Sequence, residues 1–428
     1  MRAVSRDPNP AEPRLYWAQL LHFYQPPTQT HDVLRRVAEE SYRPLLAVLR
    51  EHPQARLAVN INAVLTELLV EHGLGDVVQG LAELAERGQV EFVGSGRFHP
   101  ILPLITEGER TRSIAENSQV NRRLLGKCWN PAGFFPPEMC YSAEILPAIA
   151  SAGHEWLVVS GVAYPNGWPV DVVSRVPVPG KTLSVLFRDD ARSNRISFRE
   201  TAPHQFLDDL ERAGGGEQRY IVTAMDAETY GHHIRGWEQD FLAATYTLLE
   251  ERASEAPDHG TSRVEMVMPG ELPGLFPPGP IIEPLASSWS TTRDDIAARN
   301  PYPLWHAPGN RVHDLQWEYI HLATEILAVA QRYADTPDSR RFAALAAERL
   351  QPALHSCQFW WASRRPMWDV TLIHRGFLML NEVALYAMRA VWKGSASERV
   401  KREIAWRMAA ANEARAQLER ELFGEMAP

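Results

Sequence analysis

The sequence predicts an α/β protein in which a parallel sheet, closed or nearly closed into a barrel, is followed by an α-helical bundle. Three observations carry that expectation. Short apolar runs alternate with amphipathic stretches from about residue 15 to 268, a Pro-rich turn with a poorly periodic stretch follows, and four long helical patterns fill the remainder.

The strand runs are residues 15–21, 57–61, 90–94, 133–135, 156–160, 183–187, 220–225 and 264–268. Each is predominantly apolar, with at most one polar residue in a run. Helical spacing links many of them. Asp32 heads a run through Leu34, Val37, Leu45, Leu46 and Leu49, and residues 64–86 form another that breaks at Gly73. Polar residues cluster where strand runs end: His22 after the first, His99 after 90–94, Glu138 after 133–135 and Asp226 after 220–225. In parallel barrels the loops after strand C-termini carry the reacting groups.

Pro277-Pro278-Gly279-Pro280 reads as a turn. Residues 287–310 are too long for a simple connection, which suits an active-site loop. Helical patterns then cover about 313–335, 338–358, 370–392 and 396–422, a bundle with His313, Trp317 and Phe359-Trp360-Trp361 in its core or, alternatively, lining a sugar cleft. Residues 398–419 are strongly charged and read as a solvated helix. The expected division is a barrel over 14–275, a loop or linker over 276–312 and a helical domain over 313–428.

Composition narrows the function. The chain has 428 residues, 45% hydrophobic and 23% charged, ordinary for a soluble globular protein. A net charge of −9 argues against nucleic acid or an anionic membrane as partner. No uninterrupted apolar stretch is long enough to span a bilayer. Residues 1–13 are polar and lack the apolar segment of a signal peptide, so a cytoplasmic protein is expected. Cys128, Cys140 and Cys357 form no CxxC pair. Thirteen tryptophans are a surplus that suits stacking on the apolar faces of sugars. Oligomeric state is not legible.

Asp226, at the end of an apolar run, is partly desolvated, which raises its pKa toward what a general acid needs. Asp226 and Glu228 share a face if the strand continues, and either residue could instead cap the next helix. Glu138 follows Pro136-Pro137, which stiffens the backbone before the carboxyl; its alternative is a helix-start glutamate, a role Glu144 fits better. Two placed carboxyls without a cofactor motif suggest glycoside hydrolysis. His22, His99, His232 and His233, together with Asp226, offer the competing account of a divalent metal site.

These motifs together resemble glycoside hydrolase family 57, the retaining α-glucan-active enzymes. His22-Phe23-Tyr24-Gln25-Pro26 resembles the opening HxHQP, with Tyr24 in place of the second histidine. Gly94-Ser95-Gly96-Arg97-Phe98-His99-Pro100 resembles the second motif. Gly133-Phe134-Phe135-Pro136-Pro137-Glu138 resembles GxWxxE with Phe135 for tryptophan, and Asp226-Ala227-Glu228-Thr229-Tyr230-Gly231-His232 resembles DxExxGH. A fifth motif does not align. The resemblance implies an incomplete (β/α)7 barrel followed by a C-terminal α-helical bundle, with Glu138 as nucleophile and Asp226 as acid/base. It implies an α-glucan or maltooligosaccharide substrate touched by His22, His99, Glu228, His232 and Trp289, and neither cofactor nor metal. Retention of configuration implies carboxyl groups about 5–5.5 Å apart, against roughly 6.5–9.5 Å for inversion. The alternatives are a metal-dependent hydrolase or deacetylase on a related barrel, and a catalytically silent sugar-binding relative.

Overall fold

A computed structural model describes residues 14–164, 167–254 and 263–424. Residues 1–13 and the last four residues of the expected helical domain lie outside them. Ten strands are present among the described residues: β1 (Arg14–Phe23), β2 (Leu57–Ile61), β3 (Val90–Gly94), β4 (Gly133–Phe134), β5 (Trp156–Ser160), β6 (Val173–Val178), β7 (Lys181–Arg188), β8 (Arg219–Asp226), β9 (Arg263–Val267) and β10 (Pro278–Ile281).

Seven of them form a parallel barrel in the order β1-β2-β3-β4-β5-β7-β8, with β8 returning to β1. A single bridge, Arg188 to Val222, joins β7 to β8 and closes the ring. One edge of β1 pairs with β8 over Leu15–His22, while the other takes β9 low down and β2 higher up. That shared edge explains the length and complete burial of β1: every residue after Arg14 is covered. Trp17 anchors it, donating its indole N–H to Thr223 at 2.9 Å and packing edge-on against Phe206.

The chain divides into two compact units. The first holds residues up to 95, 117–136 and 146–285, and contains the barrel. The second holds 96–116, 137–145 and 286–428. Its long helices are Arg311–Arg332, Pro337–Ala353, Val370–Lys393 and Glu398–Gly424. His313, Trp317, Phe359 and Trp361 are buried there as expected, with Trp317 stacked on Phe359 at 4.4 Å, and Trp360 is half-buried.

The structure corrects several local expectations. The helix at residue 31 follows Thr30 as its cap residue, so Asp32 lies in the first turn. The run through Leu49 is not one α-helix: residues Ala38–Tyr42 open into a π-turn between His31–Val37 and Arg43–Glu51. Pro44 explains it, since proline has no N–H for the Glu40 carbonyl four residues back and its ring crowds that oxygen. The Pro277–Pro280 turn contains a strand, β10, which pairs with β6. β6 itself forms an antiparallel hairpin with β7, and its Pro177 and polar residues hid it from an apolar-run search. The pattern over 338–358 ends at Ala353, after Pro352, and a short turn Cys357–Trp360 follows.

Gly133 shows how tightly β4 fits. A Cβ there would lie 2.1 Å from the Trp156 ring on β5. Gly133→Ala is expected to lose about 2–3 kcal/mol through overpacking, read as a lower urea midpoint with unchanged slope.

Candidate active site

In the barrel unit the C-terminal ends of β1 and β8 lie side by side, with His22 in register with Asp226. Beside them on β2 is Asn60, whose side-chain oxygen lies 2.6 Å from His22 Nδ1. Burial pushes the His22 imidazole down to about 4 despite that hydrogen bond, so the ring is neutral at pH 7. Tyr24 and Phe135 stack with the His22 ring at 5.9 and 4.8 Å. The two departures from the resembled motifs therefore meet on one histidine.

Asp226 is half-buried at the strand end. Burial raises it to about 6, and the nearby Arg188 guanidinium opposes the shift. Arg188 is itself buried, donating to the Ala224 carbonyl, Asp190 and Asn194. Glu228 lies deeper, at 4% exposure. Its Oε1 accepts from the Tyr42 hydroxyl, from Gln25 Nε2 at 3.2 Å and from the Tyr24 N–H at 3.4 Å. Burial, then the neighbouring charge of Asp226, pushes Glu228 to about 7. His232 turns to Glu40, its Nδ1 2.6 Å from the carboxylate, while the His233 N–H donates to the Glu228 carbonyl.

The helical unit holds the other carboxyl. Glu138 occupies the left-handed region at φ 57°, in a turn Pro137–Met139 that follows Pro136-Pro137, and Met139 at φ 48° is left-handed too. Its Oε1 accepts from Ser356 Oγ at 2.9 Å and its Oε2 from the Trp289 indole N–H at 3.0 Å. The Trp289 backbone N–H donates to the Glu138 carbonyl. His99 is also left-handed, at φ 57°, and its Nδ1 lies 2.8 Å from Ser356 Oγ and 3.5 Å from Glu138 Oε1. Because the Ser356 hydroxyl donates to the carboxylate, the proton in the His99–Ser356 bond comes from His99 Nδ1. Non-glycine residues at positive φ cost about 1–3 kcal/mol each and collect where function holds them.

The surrounding backbone is pinned. The Ser356 N–H donates to the His99 carbonyl, and Pro100 bridges His355. Gln316 and His313 bond the carbonyls of Gln358 and Phe359. Arg110 donates to the carbonyls of Leu102, Ile105 and Glu144, tying 96–116 to 137–145.

Of the residues singled out from sequence, the barrel unit gathers His22, Asp226 and Glu228, with His232 on the same loop but bound to Glu40. The helical unit gathers His99, Glu138 and Trp289. Ser356, Tyr42, Asn60 and Arg188 escaped sequence reasoning. A lone serine or tyrosine carries no spacing signal, and Arg188 ended a strand run that drew attention only for its apolar residues. Among the described residues, no three His, Cys, Asp or Glu side chains gather in a way that could hold a metal ion.

Parallel strands closed into a seven-membered ring, with ionisable side chains at their C-terminal ends, define a barrel protein of the (β/α) class. This chain belongs to glycosyl hydrolase family 57, whose profile matches residues 12–283. An α-amylase from Pyrococcus horikoshii is 26% identical over 307 residues, covering 67% of this chain and 44% of that protein. A 4-α-glucanotransferase from Thermococcus kodakarensis is 23% identical over 297 residues, 65% of this chain and 42% of that one. The chain thus spans less than half the length of both relatives. The crystal structure of a family-57 branching enzyme from Pyrococcus horikoshii superposes with a TM-score of 0.69 at 16% identity, covering 92% of this chain and 94% of that one, which establishes the shared fold.

A carboxyl that holds its proton more tightly when folded than when unfolded costs stability as the pH rises. Between pH 4 and about 6 the native state keeps the Asp226 proton that the unfolded chain has released. Asp226→Asn removes this penalty. In urea unfolding it should match wild type at pH 4 and exceed it by about 2 kcal/mol at pH 7.5, discounted for the open edge of the side chain.

Proposed function

We propose that this protein cleaves or transfers α-glucosidic bonds with retention of configuration, with Glu138 as nucleophile and Asp226 as general acid/base. One observation carries the reading: the two carboxyls sit in opposite environments. Glu138 has a donor on each oxygen, which suits a carboxylate held in one orientation for attack. Asp226, raised to about 6 with ordinary Asp at 3.8, suits a group that must carry a proton near neutrality. Family membership and relatives named α-amylase and 4-α-glucanotransferase support the same chemistry.

In the first step Asp226 protonates the glycosidic oxygen while Glu138 attacks the anomeric carbon, breaking the glycosidic bond and forming a glycosyl ester. In the second, Asp226 takes a proton from water or from a sugar hydroxyl, which attacks the anomeric carbon and releases Glu138. Water as acceptor gives hydrolysis, and sugar gives transfer. Ser356 and the Trp289 indole hold the nucleophile, and His99 holds Ser356. Neutral His22, stacked with Tyr24 and Phe135, would hydrogen-bond sugar hydroxyls. Against the metal-dependent alternative, no three His, Cys, Asp or Glu side chains gather among the described residues in a way that could hold an ion.

The test is an assay on maltooligosaccharides and amylose, with NMR of the first-formed anomer and chelator controls. Glu138→Gln and Asp226→Asn are expected to lose activity by about 10³-fold or more, and the first product should keep the α configuration. Inversion, or turnover surviving in Glu138→Gln, overturns the assignment. Ser356→Ala should lower kcat about tenfold by freeing one nucleophile oxygen, with KM little changed.

A further inference from the structure

The π-turn at Ala38–Tyr42 grips the loop that follows β8 with three consecutive residues. Glu40 pairs with His232, the Ser41 hydroxyl donates to the Ala227 carbonyl at 3.0 Å, and the Tyr42 hydroxyl donates to Glu228. The backbones meet as well: a Cβ on Gly231, at φ 101°, would lie 1.8 Å from the Glu40 carbonyl oxygen. That oxygen is the one Pro44 leaves without its helical partner.

Glu228 is not a surface carboxyl available to solvent. Three donors from two elements converge on its Oε1, and Tyr42 is fully buried. Tyr42 cannot take the role of proton acceptor, because burial and the Glu228 charge hold its phenol well above the ordinary value. The charged and titratable groups facing this pair are Asp226 and Tyr42, with Arg188 acting on Asp226. His22 beside Asp226 is neutral, and the Glu40–His232 pair lies at the loop's far end.

We propose that Tyr42 is a positioning residue for the acid: by donating to Glu228 it draws that group toward its charged form, and that negative charge helps Asp226 hold its proton. The inference rests on Asp226 being the acid. Two neighbouring carboxyls titrate as a coupled pair, and donors to one member bias where the proton resides. Tyr42, Gln25 and the Tyr24 N–H all favour the charged form of Glu228, against the burial that lifts it to about 7. Glu228 in turn keeps the Asp226 proton from leaving, through like-charge repulsion.

The experiment is the pH profile of kcat/KM on a maltooligosaccharide, whose alkaline limb reports loss of the acid's proton. In Tyr42→Phe that limb should move down by about 0.5–1 pH unit, with kcat at pH 7 lowered about tenfold and KM unchanged. Glu39→Ala, an exposed residue of the same π-turn, should leave the limb in place. Adding Tyr42→Phe to Glu228→Gln should shift the limb no further than Glu228→Gln does alone. An unmoved limb in Tyr42→Phe, an equal shift in Glu39→Ala, or a further shift in the double variant overturns the proposal. If Tyr42→Phe does not fold, 3-fluorotyrosine placed at position 42 keeps the ring and donates more strongly. The limb must then rise, and a limb that stays put overturns the proposal equally. Asp226→Asn with undiminished turnover refutes the acid assignment itself. An inactive Asp226→Asn beside an unmoved Tyr42→Phe limb refutes only the role of Tyr42.

Discussion

Everything in the barrel's upper layer depends on one electrostatic constraint: ionisable groups are buried at the ends of parallel strands, where charge is costly unless something nearby satisfies it. Arg188 answers by donating to a β8 carbonyl and to Asp190 and Asn194. Glu228 answers by gathering Tyr42, Gln25 and the Tyr24 N–H on one oxygen. His22 gives up its charge instead and rests on Asn60. Asp226 is left half-buried at the strand end, and like Glu228 it holds its proton more firmly than usual. Its chemistry follows from what its neighbours have already consumed.

The helical unit solves a different problem, that of holding a carboxylate still. Glu138 sits in a left-handed turn behind two prolines, and each oxygen has one donor from a separate segment. Trp289 contributes both its backbone and its indole N–H, so the 286–310 stretch is a brace for Glu138 as well as a loop. Ser356 is held in place by its own backbone bond to His99.

Much of this was readable beforehand. Alternating apolar runs reveal parallel strands because both faces are covered, and seven of the eight expected runs became barrel strands, with β9 pairing on the edge of β1. Asp226 and Glu138 stood out because they follow strand runs directly and lie in segments that resemble known motifs. What stayed hidden depends on partners distant in sequence. Tyr42 lies 186 residues from Glu228, and Ser356 lies 218 from Glu138. Neither is marked by periodicity. The π-turn was hidden for another reason: its apolar residues keep helical spacing on either side, and only Pro44 betrays the break. β6 and β10 were missed because proline and polar residues interrupt the apolar signal on which a buried-strand search relies.

The helical unit is discontinuous in sequence, assembled from 96–116, 137–145 and 286–428. This has a consequence for the order of folding. Segments 96–116 and 137–145 leave the ribosome well before their partners exist, and Arg112, His99 and Glu138 must wait for Ala347, Ser356 and Trp289. Contacts of that span close late and slowly, since chain closure must precede the reward. Local strand pairs such as β1 and β2 have no such delay. The turn that presents Glu138 is therefore among the last parts of the chain to gain its native partners, and its left-handed backbone can be held only once translation is nearly finished.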